Sequence, residues 1–269
     1  MTSKNPQQVK KAIENVASIF LNRLNRHHIP ATLDYRLPLD VSTLATGFRT
    51  LDKALEIGGL PYGKITELLS PDPTMGGTTS ISARIASKVQ RKQQMVSIID
   101  MSHTFDPWQA ERAGLIAPHL LLARPDTVFE ALTTLENAAR YEEGLIIVVM
   151  GIVAELLDHA DAALLKTLLS RVWTIVRQSN SVFLFMTVPH KNDPFSPTNY
   201  PAGFPLADLA DIRLWTQDEN WSHKDGIVTA YKANLTVIKN RLAMAGKGAI
   251  VSLKFAHIEP GGDWPLVSS

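Results

Sequence analysis

The sequence predicts an α/β fold: a mostly parallel central sheet between helices, with an antiparallel extension and an N-terminal helical arm. Three observations carry this. From Lys64 to Val188, apolar runs of strand length alternate with segments of helical periodicity. Two of the runs, Leu145 to Val149 and Val182 to Val188, are almost unbroken apolar stretches, as expected of strands covered on both faces. The last strands follow one another with no helix between them, which suits antiparallel pairing.

In chain order, Pro6 to Arg26 places Val9, Ile13, Val16, Phe20 and Leu24 at steps of three and four, the spacing of an amphipathic helix. Lys10, Lys11, Arg23 and Arg26 against Glu14 make its polar face basic. Such a helix either packs on its own domain or docks on a neighbouring subunit. Ala31 to Leu37 alternates like a short strand and stops at Pro38. Ile65 to Leu69 is a β run, followed by turn residues and a helix around Ser80 to Arg91. Met95 to Ile99 is a strand, Trp108 to Ala113 the end of a helix, His119 to Ala123 a strand, and Val128 to Tyr141 a helix. The Leu145 to Val149 strand, a helix at Ala160 to Gln178 and the Val182 to Val188 strand complete the alternating part. Late strands are expected at Ile212 to Trp215, Val228 to Tyr231, Ala233 to Ile238 and Ala249 to Phe255. The expected organisation is an arm at residues 1–40, a core domain at 41–258 and a tail at 259–269.

Composition narrows the classes. The 269 residues are enough to bury a core without staples. With no cysteine, a disulfide framework, a thiolate zinc site, an iron–sulfur cluster and a cysteine nucleophile are excluded. A formal charge of +1 announces neither a nucleic-acid nor a membrane partner. The opening MTSKNPQQVKK is too polar for a signal peptide, and the run from Leu145 to Ala154 falls short of the roughly 18 apolar residues of a membrane helix. The expectation is a soluble, cytoplasmic protein that makes no membrane contact.

The turn after Leu69 lies where a phosphate loop would fall between strand and helix. Before it come Thr46-Gly47-Phe48-Arg49-Thr50-Leu51-Asp52-Lys53-Ala54-Leu55 and Gly58-Gly59-Leu60-Pro61-Tyr62-Gly63-Lys64-Ile65. After it come Ile98-Ile99-Asp100-Met101-Ser102-His103-Thr104-Phe105-Asp106-Pro107 and Leu120-Leu121 through Arg124-Pro125-Asp126-Thr127. Gln178-Ser179-Asn180, Ala210-Asp211-Ile212-Arg213-Leu214 and Ile238-Lys239-Asn240-Arg241 follow. In this order and spacing, from Thr46 to Phe255, the chain resembles bacterial RecA and its relatives. The resemblance implies a RecA-like P-loop NTPase core, with residues 1–40 as a short counterpart of the family's oligomerisation arm and no room for its C-terminal domain.

The chemistry departs from that pattern. A working phosphate loop reads G-x-x-x-x-G-K-[ST], its glycines letting backbone N–H groups curl around phosphates that the lysine neutralises. Here the loop reads Ser70-Pro71-Asp72-Pro73-Thr74-Met75-Gly76-Gly77-Thr78-Thr79. Ser70 replaces the first glycine, one extra residue precedes Gly76, and Gly77 stands at the lysine position. Thr78 keeps the hydroxyl that would bind magnesium. By the resemblance, Met150-Gly151 ends the strand where an aspartate would hold magnesium, Ser102 stands at the catalytic glutamate, and Val188-Pro189 replaces a γ-phosphate-sensing glutamine. Losing one such group costs about 10² to 10³ in rate. The expectation is no catalytic residue, no ATP, magnesium or other metal, and at most weak anion binding at the helix start near Gly76.

For single-stranded DNA, the resemblance points to two loops. The first, Gly151 to Asp161, carries Glu155, Asp158 and Asp161 and is a poor phosphate binder. The second, His190 to Pro205, offers Lys191 for phosphates and Phe195, Tyr200 and Phe204 for base stacking, or else is a solvent loop. Lys232 to Lys254 holds five basic residues (Lys232, Lys239, Arg241, Lys247, Lys254) and no acidic one. Lys239 and Arg241 match the pair that reaches a neighbour's ATP in RecA filaments, and their spacing on a strand would aim them from one face. The reading is a RecA-like protein of DNA recombination or repair that has lost ATP hydrolysis. It would act by binding DNA, a recombinase partner or a second copy, much as ImuA-like and SulA-like members are regarded as accessory proteins. The alternatives are an ATP-dependent recombinase with an atypical nucleotide site and a regulatory scaffold without nucleic acid.

Overall fold

The computed structural model describes residues 41–256 except Glu142, Asp158 and Ala202. The expected Pro6 to Arg26 helix, the Ala31 to Leu37 strand and the 259–269 tail lie outside the described residues.

The first family-like run builds a small entry unit. β1 (Thr43–Leu44) pairs antiparallel with β2 (Leu60–Pro61), and α1 (Arg49–Ala54) spans the connection. Asp52 on α1 reaches back to Thr46, accepting from its backbone N–H at 2.9 Å and its hydroxyl at 2.7 Å. Gly59 lies so close to the Leu44 carbonyl that any Cβ would collide with it.

Next come β3 (Ile65–Leu69), α2 (Gly76–Gln90), β4 (Met95–Asp100), α3 (Pro107–Arg112), β5 (Leu121–Ala123), α4 (Val128–Tyr141) and β6 (Gly144–Ile152). They are followed by α5 (Val153–Leu156), α6 (His159–Val176), β7 (Val182–Val188), α7 (Leu206–Leu209), β8 (Ile212–Lys224), β9 (Ile227–Asn240) and β10 (Gly248–Lys254). The main sheet has the order β10-β9-β8-β3-β7-β6-β4-β5. Strands β8 to β5 in that order run parallel, and β9 and β10 add antiparallel. This is the predicted sheet.

Strand periodicity divides the core in two. Leu145, Ile147 and Val149 of β6, with Leu184 and Met186 of β7, face the cluster that includes Ile81, Ile85 and Val89 of α2. Ile146, Val148 and Met150, with Phe183 and Phe185, face Leu132 and Leu135 of α4 and Val172 and Val176 of α6. Both faces of these strands are therefore covered, which is why their sequences show no polar alternation.

Two expectations are corrected. The helix after β3 starts at Gly76 rather than Ser80, because Met75 takes the left-handed conformation at φ 56° and turns the chain straight into the helix. That backbone costs about 1–2 kcal/mol, and burying the Met75 side chain completely returns a similar amount. Val228 to Tyr231 and Ala233 to Ile238 are not two strands but one, β9, in a long hairpin with β8. Asp225 and Gly226 at its tip have φ of 53° and 78°, the left-handed pair that an Asp-Gly turn supplies.

Candidate phosphate-loop and nucleic-acid sites

Both candidate sites sit at the C-terminal ends of the parallel strands, where open α/β sheets carry their ligand crevices. β3 occupies the middle, with Leu69 paired to Thr187 of β7 and to Trp215 of β8.

The turn after β3 is closed on its own side chains. Ser70 donates its N–H to the Thr187 carbonyl at 2.8 Å and its hydroxyl to the Asp72 carbonyl at 2.9 Å. Asp72 accepts from the Thr74 N–H at 2.9 Å and the Thr74 hydroxyl at 2.5 Å. Thr78, the residue matching a magnesium ligand, is buried and donates its hydroxyl to the Met75 carbonyl at 3.0 Å. Thr79 is buried beside it and donates its N–H to the same carbonyl at 2.8 Å. Gln109 of α3 donates to the Gly76 carbonyl at 2.8 Å and to the Ser80 hydroxyl at 3.0 Å, tying the two helices together.

Gly77 explains the rest of the departure. A Cβ there would collide with the Glu219 carboxylate and the Tyr231 phenol, both from the β8–β9 hairpin. Tyr231 donates its O–H to Glu219 at 2.5 Å. Burial raises the Glu219 pKa against the lowering effect of that hydrogen bond, and the charge of Asp72 adds to the rise. Burial, and then Glu219, push the Tyr231 phenol up as well. Where the family places a lysine, this fold packs a carboxylate. Two like charges about 4 Å apart repel by about 4 kcal/mol at a near-surface dielectric, against roughly 0.3–1 kcal/mol of attraction from a helix N-terminus. The expectation of weak anion binding near Gly76 is thereby corrected, and these residues do not fit a nucleotide triphosphate.

The neighbouring acidic turn is structural in its contacts. Asp100, fully buried at the end of β4, accepts from the Thr104 N–H at 3.2 Å, the Phe105 N–H at 3.1 Å and Arg124 Nε at 3.2 Å. Ser102 lies against Gly151, and its hydroxyl is 2.7 Å from that of Thr104. The chain after Met150 is more ordered than a loop, since β6 continues to Ile152 and α5 follows at once.

The His190 to Pro205 segment is pinned from beneath. Glu67 on β3 is fully buried and accepts from Arg213 Nε at 2.5 Å, from the Thr187 hydroxyl at 2.8 Å and from the Tyr200 phenol. Arg213 also donates to the Pro194 carbonyl at 3.2 Å and to the Tyr200 oxygen at 3.1 Å. Burial opposes the charge on Arg213, yet Glu67 and Tyr200 hold its pKa above the ordinary value. Burial, and then the charge of Glu67, push the Tyr200 phenol up. Buried Asn199 ties the segment to itself through the Asp193 carbonyl at 2.7 Å and the Lys191 N–H at 3.4 Å.

Of the three aromatic residues read as stacking groups, Phe195 alone points outward, at 68 % exposure. Tyr200 is committed to Glu67, and Phe204, 7 % exposed, packs in the second core cluster. Those two readings are corrected: the same apolar surface that would stack on a base is spent on the core.

The basic candidates also separate. Lys239 donates to the Ala207 and Asp208 carbonyls at 2.6 and 3.1 Å, and Arg241 to the Asp208 carbonyl at 2.6 Å. Burial, then the charges of Arg241 and Arg213, lower the Lys239 pKa. Arg241 lies one residue beyond β9, and the pair clamps α7 of its own domain. Lys247 pairs with Glu56. Lys191 and Lys232 are exposed.

Glu67 and Arg213 escaped the sequence reading although each is a lone charge in an apolar run, a signal of a buried pair. Glu219 and Tyr231 carried no such signal, since their partner Gly77 is far away in the chain.

A mostly parallel sheet with this strand order, a strand-to-helix turn at its centre and an antiparallel extension defines a RecA-like core. Residues 11–258 match the RecA N-terminal domain family, and the chain belongs to it. It is 28% identical over 241 residues to Protein RecA of Thermus thermophilus, covering 83% of this chain and 70% of that protein. It is 27% identical over 234 residues to Protein RecA of Mesomycoplasma hyopneumoniae, covering 81% and 69%. Among solved structures, the RadB recombinase crystal structure shares the fold with a TM-score of 0.58 at 20% identity, covering 77% of this chain and 94% of that one. Among the described residues, no helix is long and apolar enough to cross a membrane, and no group of three or more His, Asp or Glu could hold a metal ion.

Proposed function

We propose that this RecA-family chain serves DNA recombination or repair as a binding or accessory protein and does not hydrolyse ATP. The observation that carries the reading is the Glu219 carboxylate packed over Gly77, where a phosphate-binding lysine would project. Ser70, Ser102, Met150 and Val188 support it, because each stands where the family's chemistry calls for a different residue. Single-stranded DNA, a RecA-like recombinase and a second copy engaged through residues 1–40 are the partners this reading assigns. The division into an arm, a core at 41–258 and a tail belongs to the same proposal.

For DNA, Lys191, Lys232 and Phe195 are the groups left facing solvent. Titrating labelled single-stranded DNA at two salt concentrations, with and without ATP, tests the reading. Binding should be independent of ATP, and Lys191→Glu with Lys232→Glu should weaken it and reduce the salt slope by about 0.7 for each phosphate no longer neutralised. ATP turnover by the purified chain that disappears in Thr78→Ala would sink the proposal.

A further inference from the structure

We propose that the cleft beside the start of α2 binds an organic cation, a guanidinium or ammonium group, in place of a nucleotide. The inference rests on the reading above that the phosphate turn takes no nucleotide.

The cleft has a volume of about 380 Å³, and Asp72, Asp106, Trp108, Arg112, Trp221 and Phe255 are among its walls. That volume lies within the range of ligand pockets, and so does its character: apolar rings with a few polar groups among them. Trp221 stacks on Phe255 at 6.0 Å and 12°, and packs against Tyr231 at 4.5 Å. Trp108 is 40 % exposed.

The charges on this wall select the ligand. Asp72 and Asp106 line the cleft directly, and Glu219 lies next to it beneath Gly77. Asp72 raises the Glu219 pKa, so the two carboxylates feel each other without a cation between them. Asp106 accepts two backbone N–H groups, from Trp108 at 2.9 Å and Gln109 at 3.2 Å, which favours its charged form. Arg112 is the lining residue that carries a permanent positive charge, and it is turned away, donating to the Val228 and Ala256 carbonyls. An incoming phosphate would therefore meet carboxylates with no free guanidinium to offset them.

The walls already hold one guanidinium. The Arg112 group sits 4.9 Å from the centre of the Trp108 ring and 5.3 Å from that of Phe255. Ring faces that carry a cation on the protein side, flanked by carboxylates on the solvent side, suit a second flat cation by cation–π attraction and charge-assisted hydrogen bonds. The source is either a free small molecule or the arginine or lysine side chain of a protein segment.

Tryptophan fluorescence of the full chain, titrated separately with agmatine, with Gly-Arg-Gly amide and with ATP, tests this. Saturable quenching by agmatine is expected if the source is small, and by the peptide alone if the site reads a side chain within a backbone; ATP should stay silent. Asp72→Asn with Asp106→Asn should weaken the cation about tenfold, and Trp221→Leu should do so independently should the double variant fold poorly. Affinity unchanged in both variants would overturn the proposal. Silence from all three ligands overturns the cation site alone, whereas saturation by ATP overturns this site and the nucleotide-free reading together.

Discussion

Glu67 and Glu219 are both carboxylates drawn against the central sheet, and they live in opposite circumstances. Glu67 is fully buried but receives three side-chain donors, one of them the Arg213 guanidinium. Glu219 is half-buried, receives the Tyr231 phenol, and faces the like charge of Asp72. Burial alone thus does not decide what a carboxylate does for the fold; the partners do. The first carboxylate organises a segment that would otherwise be a long loop. The second obstructs a turn that in a phosphate-binding protein must stay open.

The comparison breaks most visibly at Arg213. Replacing Arg213 by Met leaves Glu67 in the interior without its cation, which costs about 3–5 kcal/mol. A urea titration should show the midpoint falling with little change in slope. Glu67→Met in the same chain should recover much of the loss, since an apolar pair carries no stranded charge. A single variant as stable as the parent would mean that water, not Arg213, compensates Glu67.

Tyr200→Phe is gentler, for it removes one hydrogen bond to a charged group, about 1.5–3 kcal/mol. Its sharper effect is local. Amide exchange from Pro194 to Tyr200 should accelerate more than exchange in β7, because the phenol is one of two ties between this segment and the buried pair. Uniform acceleration would assign the loss to global stability instead.

Gly77→Ala probes the other carboxylate. The added methyl meets Glu219 and Tyr231, and overpacking of this kind costs about 1–3 kcal/mol. Glu219→Ala in the same chain should return part of that, and a thermal-melt double-mutant cycle measures the coupling. Additive losses would show that the Glu219 side chain simply swings aside into solvent.

How much of this was legible follows the range of the contacts. The parallel strands were readable because burial on both faces writes itself into consecutive residues such as Leu145 to Val149. Helix Val128 to Tyr141 was readable from its local period, and its bounds agree residue for residue. The distal half of β8, Gln217 to Lys224, was missed because it is polar and mostly exposed, so its pairing with β9 leaves no apolar pattern. Lys239 and Arg241 were readable as basic groups but not as clamps on the Ala207 and Asp208 carbonyls, because a carbonyl acceptor has no sequence signature. Gly77 was readable as a missing lysine. The carboxylate that fills its place was not, since it arrives from a hairpin 142 residues further along the chain.

Glu219→Gln separates packing from charge at that position and carries the smallest effect. Glutamine keeps an acceptor for the Tyr231 phenol and removes the repulsion from Asp72. An acid whose folded pKa is raised stabilises the fold fully below its unfolded pKa, and that contribution is lost as pH rises through the raised value. The ordinary value is 4.5 and the shift is upward. Parent and variant should therefore melt alike below about pH 4, and the variant should move ahead as pH rises past the raised pKa. The lead should stay under about 1 kcal/mol, because Glu219 is partly open to water that screens the charge. Melting temperatures of both proteins across this window measure it. Parallel curves would mean that Glu219 ionises as freely in the folded chain as in the unfolded one, and the closed turn over Gly77 would then be a matter of volume rather than of charge.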